Sequence, residues 1–131
     1  MAPNHIMPHG VPYGMAARDA EVANAICDAA TVYNKLLLGM KGKLHETVYP
    51  GRGQAMIPEF YADLDYNDDG LIITRAHDAE EPQQAAAKCV RAVAEGKVRS
   101  VDAQTICAHS GTPNAQEIAA AVRAAIPRHR R

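Results

Sequence analysis

The 131 residues predict an α/β fold built on a parallel sheet with flanking helices. Three observations carry this. Short apolar runs alternate along the chain with stretches of helical periodicity. The runs are apolar throughout rather than alternating, as strands buried on both faces are. Aromatic residues are scarce, five Tyr, one Phe and no Trp, so the core is built from Ala, Val, Ile, Leu and Met, which suits close-packed helices better than a sandwich.

The elements follow in order. Residues 5–8 read as a short strand ending at the His9-Gly10 turn. Asp19 to Tyr33 reads as a helix, with Asp19 as N-cap and Val22, Ile26, Ala29, Ala30 and Tyr33 on its apolar face. Residues 35–38 form a buried strand closed by Gly39. The stretch 40–56 is Gly-rich and polar around a helical turn. A strand over 57–61 leads into an acidic turn ending Asp68-Asp69-Gly70, and 71–74 reads as a further short strand. Pro82 opens a helix that runs to Glu95, with Val90 and Val93 on its buried side. Residues 105–108 form the last strand. Thr112-Pro113 caps a final helix over 113–126, with Ile118, Val122, Ala125 and Ile126 on one face, and 127–131 reads as a frayed basic tail on a single domain.

Composition narrows the function. Fourteen Lys and Arg against fifteen Asp and Glu exclude a generic electrostatic nucleic-acid binder. No apolar run reaches the ~20 residues of a membrane span. The first residues show neither a charged n-region nor an apolar h-region, so a cytoplasmic location is expected. Cysteines at 27, 89 and 107 have no CxxC spacing and read as reduced, buried thiols. Asp65-Tyr-Asn67-Asp-Asp69-Gly70-Leu-Ile72 matches the first eight positions of an EF-hand loop, but position twelve is Ala76 instead of the bidentate Glu. An acidic turn held by Asx hydrogen bonds accounts for it better than a calcium-binding module, and no metal site is expected.

In parallel α/β sheets the polar residues at the carboxyl ends of strands build the site. Three runs end that way here, at His9, at the Tyr61-Ala62-Asp63 corner, and at His109.

Four stretches resemble the LamB/YcsF family, the A subunits of 5-oxoprolinase, and its fungal lactam-utilization members in particular. Pro8-His9-Gly10-Val-Pro-Tyr13-Gly14-Met15 is similar to the family's Lys-Pro-His-Gly-Ala-Leu-Tyr-Asn/Gly-Met segment. Glu59-Phe60-Tyr61-Ala62-Asp63-Leu-Asp65-Tyr66 is similar to its Glu-x-Phe-Ala-Asp-Arg-x-Tyr. Asp69-Gly70-Leu71 through Arg75 resembles Asp-Gly-x-Leu-x-x-Arg. Thr105-Ile-Cys107-Ala-His109-Ser-Gly-Thr112-Pro113 resembles Ile-Cys-Val-His-Gly/Ser-Asp-Thr-Pro.

The resemblance implies a partial (β/α) barrel-like parallel sheet, lacking the family's amino-terminal half. It also implies hydrolysis of 5-oxoproline or a related small lactam, coupled to ATP through partner subunits, with no cofactor bound by the chain itself. A lactam amide is a poor electrophile, so the protein must place water and a general base at an activated carbon. On that chemistry His9, Asp63 and His109 are the expected catalytic residues. Tyr13, Tyr61 and Arg75 are the expected substrate contacts, Arg75 pairing with a carboxylate.

Three departures stand out: Met7 replaces the family's Lys before Pro-His-Gly, Pro12 replaces a Leu, and Gly111 replaces the Asp after His109. With the missing half, they predict a truncated homologue whose isolated chain does not open 5-oxoproline. The alternatives are an inert accessory paralogue in a fungal metabolic gene cluster, or a protein completed by homo-oligomerisation.

Overall fold

The computed structural model describes residues 3–73, 81–94 and 104–126. The chain divides into two compact units, Met1–Glu59 and Phe60–Arg131.

The first unit contains β1 (His5–Ile6), α1 (Val11–Ala16), α2 (Ala20–Thr31), β2 (Leu36–Gly39), α3 (Leu44–Gly51) and the start of β3 (Met56–Tyr61). β1 pairs in parallel with β2, His5 opposite Leu36. β2 pairs in parallel with β3, Leu37 opposite Met56 and Gly39 opposite Pro58. Parallel neighbours need crossover connections, and the helices between the strands supply them. The core is Ala16, Ala23, Cys27, Ala30, Leu37 and Tyr49, with Ile6, Val22, Ile26, Val48 and Met56 packed against it.

Asp19 caps α2 as its sequence predicts, its carboxylate accepting from the N–H groups of Glu21 and Val22. Of the expected face of α2, Ala30 is buried and Val22 and Ile26 pack against the core, whereas two members lie outside it. Ala23, Cys27 and Ala30 are buried, while Ala29 is exposed and Tyr33 is 61% exposed. The helix ends at Thr31, so Tyr33 falls beyond its last turn, and the smallest residues take the closest approach to neighbouring elements. Helix α1 was not anticipated, and α3 is a full eight-residue helix where a single helical turn was expected. α1 follows Gly10, whose positive φ of 68° turns the chain, and Pro12 sits in its first turn, where a missing N–H costs nothing. α3 forms within the Gly-rich stretch and tolerates Pro50 close to its C-terminal end.

Gly39 has no room for a side chain: a Cβ there would lie 2.8 Å from His45 Cβ and 3.1 Å from Met56 Sδ. His45 Cβ is fixed to the α3 backbone and cannot swing aside. Gly39→Ala is therefore expected to cost about 2 kcal/mol, the usual scale of overpacking. Urea unfolding that leaves the midpoint unchanged would show that β2 and α3 are not held this close.

The second unit contains the end of β3, β4 (Asp65–Tyr66), β5 (Ile72–Ile73), α4 (Pro82–Ala94), β6 (Thr105–Cys107) and α5 (Ala115–Ala125). α4 packs against α5. β3 carries the chain from one unit into the next, and the four-stranded sheet has the order β1-β2-β3-β6, the neighbours expected of the α/β reading. β4 and β5 form a separate antiparallel hairpin. Within it the Asn67 carboxamide oxygen accepts from Leu71 N–H at 2.8 Å, four residues on rather than the two of an Asx turn.

Two expectations for this unit are corrected. α4 buries Ala85, Ala86, Cys89 and Ala92, whereas Val90 and Val93 are 37% and 42% exposed. As in α2, small residues occupy the packed face. Thr112 does not cap α5: the N-cap position belongs to Asn114, and the Thr112 hydroxyl is engaged elsewhere, as described below. Thr74, Glu95 and the tail 127–131 lie outside the described residues. No disulfide joins the three cysteines, Cys27 and Cys89 being buried and Cys107 half-buried. Burial pushes the Cys27 thiol up from its ordinary pKa.

Candidate functional site

In the second unit the chain leaves β3 through Tyr61, Ala62 and Asp63, and leaves β6 through Ala108 and His109. The two strand ends are tied together where Ala62 N–H donates to Cys107 C=O at 2.8 Å. Asp63 and His109, 46 residues apart in sequence, are thereby brought into hydrogen-bond contact.

The Asp63 side chain is fully buried and the His109 side chain is 30% exposed. Three donors converge on the carboxylate. Thr112 Oγ1 donates to Oδ2 at 2.5 Å, and His109 N–H donates to Oδ2 at 2.8 Å. His109 Nδ1 lies 3.1 Å from Oδ1 and 3.3 Å from Oδ2. Burial by itself pushes the Asp63 carboxyl up. The Thr112 hydroxyl, the His109 N–H and the His109 ring outweigh it and hold the group below its ordinary value. Asp63 is therefore an anion at neutral pH and can only accept. Nδ1 of His109 must carry the proton in this contact, which leaves Nε2 of the neutral ring as an acceptor.

The ring plane is set independently. Tyr61 stacks on His109 with centroids 5.0 Å apart and planes 5° from parallel. Tyr61 is in turn fixed by its own N–H, which donates to the Tyr66 hydroxyl at 2.9 Å. Tyr66 stacks on Phe60. A buried carboxylate that orients an imidazole, whose second nitrogen is left as a base, is a general acid–base device.

Among the residues expected from sequence, Tyr61, Asp63 and His109 are assembled here. His9 and Tyr13 belong to the first unit. His9 is exposed, and Tyr13 is 3% exposed with its ring 4.9 Å from that of His45. Arg75 lies outside the described residues. Thr112 was missed as a site residue, because a Thr before Pro at a helix start reads as a cap. Among the described residues no group of three or more His, Cys, Asp or Glu converges as a metal ion would require. No helix among them is long and apolar enough to cross a membrane.

The LamB/YcsF family profile matches residues 1–131. An A subunit of 5-oxoprolinase from Pseudomonas aeruginosa is 38% identical over 130 residues, covering 92% of this chain and 52% of that protein. The corresponding 5-oxoprolinase protein from Coprothermobacter proteolyticus is 33% identical, covering 91% of this chain and 50% of that protein. Among solved structures, a lactam utilization protein from Thermus thermophilus superposes with a TM-score of 0.79 at 32% identity, covering 93% of this chain and 53% of that one. The chain thus spans about half the length of the relatives it matches. With its parallel α/β sheet and a match along its whole length, the chain belongs to the LamB/YcsF family.

Proposed function

We propose that this chain supplies the proton-transfer group of a site that opens 5-oxoproline or a related small cyclic amide, as part of an assembly of the 5-oxoprolinase type. The observation that supports the reading is the buried, ionised Asp63 holding Nδ1–H of His109. Water attacks the lactam carbonyl carbon, and His109 Nε2 takes the proton that the water loses. The C–N bond of the ring breaks, and the same proton passes to the departing nitrogen. The products are a new carboxylate and a free amine on one acyclic molecule. In this proposal Tyr61 contacts the substrate, and Arg75 pairs with its carboxylate.

The amide must be activated at oxygen before water can attack, and the proposal gives that step to partner subunits that carry ATP, the transferred phosphoryl group leaving at the end as inorganic phosphate.

The test is glutamate release from 5-oxoproline and ATP, measured for the purified chain alone and with the two partner subunits of a bacterial 5-oxoprolinase. The chain alone is expected to be silent. The mixture is expected to release glutamate at a rate that falls on the order of 10²-fold or more in His109→Ala. A folded chain that gives no release with its partners, or a His109→Ala variant as active as the parent, overturns the reading.

A further inference from the structure

The Thr112 hydroxyl has one proton to donate, and it goes to Asp63 Oδ2 at 2.5 Å rather than toward the helix that follows. α5 begins at Ala115 with Asn114 as its N-cap, so a capping role does not account for Thr112. Thr112 is 4% exposed, and its own N–H donates to His109 C=O at 3.1 Å, closing a turn over 109–112. This single turn delivers a hydroxyl, a backbone N–H and an imidazole to one carboxylate.

The division of the three donors between the two oxygens is informative. Thr112 and the His109 N–H both occupy Oδ2, which leaves Oδ1 as the nearer acceptor for Nδ1. A carboxylate turns about its last torsion over a broad, shallow range, so a single N–H does not fix its plane. Two donors on Oδ2 and one on Oδ1 do.

We propose that Thr112 is a positioning residue that fixes the tautomer of His109: by holding the Asp63 carboxylate in plane, it keeps the proton on Nδ1 and Nε2 free. The catalytic consequence rests on the functional reading above; the tautomer assignment does not. Among the described residues the titratable groups in contact with the His109 ring are Asp63, from the end of β3, and Tyr61, from β3 itself. Tyr61 stacks on the ring face and sets its plane without choosing between its nitrogens. The choice therefore lies with Asp63, and Thr112 is the side chain that holds Asp63.

The experiment reads the His109 imidazole ¹⁵N shifts in the full chain at a pH where the ring is neutral, for the parent, Thr112→Val and Thr112→Ser. The parent is expected to show a protonated Nδ1 and a bare Nε2. Thr112→Val, close in shape but without the donor, is expected to move a substantial share of the population to the Nε2–H tautomer, and Thr112→Ser to restore the parent pattern. Should Thr112→Val fail to fold, Thr112→Ala removes the same donor without setting a methyl against the carboxylate and is read in the same way. A donor-less variant that folds and keeps the parent tautomer overturns the proposal, as does a Ser variant that matches Val. A residue that merely packed would alter the melting temperature and leave the nitrogen shifts alone. The shifts are read without turnover, so their outcome judges Thr112, whereas absent glutamate release judges the functional reading. Where the assembly turns over, Thr112→Val is expected to lower kcat about tenfold or more with KM nearly unchanged.

Discussion

Asp63→Asn is expected to leave the chain folded while lowering glutamate release by the reconstituted assembly about as much as His109→Ala does, on the order of 10²-fold or more, because the catalytic imidazole is then held in the wrong tautomer. The carboxylate accepts three donors, two of them on Oδ2. A carboxamide offers one acceptor oxygen. Placed at the Oδ2 position, that oxygen keeps Thr112 and the His109 N–H, and the amide NH₂ then faces His109 Nδ1. Nδ1 must now accept, so the proton moves to Nε2 and the base is lost. With two of three hydrogen bonds kept, the stability cost is about 1–2 kcal/mol. Asp63→Ala is a different case. It strands three donors beside a buried void and is expected to cost on the order of 4 kcal/mol. The same bonds set an acid limit. The folded pKa of Asp63 is below its unfolded value, so its contribution is present above the unfolded pKa, and it fades as pH falls through the folded one. An Asn variant with parental activity, or an Ala variant with parental stability, would remove Asp63 from the site.

The parallel strands were legible because their apolar runs do not alternate, and three of the expected site residues were legible as polar groups at strand ends. Other features were hidden for identifiable reasons. The expected faces of α2 and α4 included large apolar residues, yet these helices bury mainly Ala and Cys and leave Tyr33, Val90 and Val93 exposed. Where elements approach closely, a small side chain fits and a β-branched one is turned outward. Helix α3 was legible only as a helical turn, its length masked by the glycines and proline around it. Its one sequence signal was the i, i+4 pair His45 and Tyr49, both fully buried, which marks a helical face. The role of Thr112 was invisible locally because its acceptor lies 49 residues away. Nothing in the neighbourhood of a Ser-Gly-Thr-Pro turn distinguishes a cap from a donor to a distant carboxylate.

His45 gives the first unit a dependence on pH whose window and sign follow from two hydrogen bonds. Its Nδ1 accepts from Met40 N–H at 2.9 Å, and its Nε2 lies 3.0 Å from Tyr13 C=O, which can only accept. The ring is therefore neutral with its proton on Nε2. A second proton would sit on Nδ1, facing the Met40 N–H. Burial among Tyr13, Tyr49 and the backbone disfavours the charged ring and lowers the pKa to about 4, against a slight opposing pull from the Tyr13 carbonyl. The unfolded chain titrates near 6.5. Between those two values the unfolded state binds a proton that the folded state refuses. Stability is thus full above about pH 6.5 and falls as the pH drops toward 4, by about 3 kcal/mol in total. The loss precedes the one due to Asp63, whose window lies below its ordinary value of 3.8. His45→Phe is expected to be less stable at pH 7 by about 2 kcal/mol, because the Met40 N–H and Tyr13 C=O lose their partner. It is also expected to flatten the profile between pH 6.5 and 4. Urea unfolding of both proteins at about pH 7, 5.5 and 4.5 checks this. A parent whose stability is level across that range, or a Phe variant that keeps the parental slope, would mean that His45 is not the neutral buried group described here.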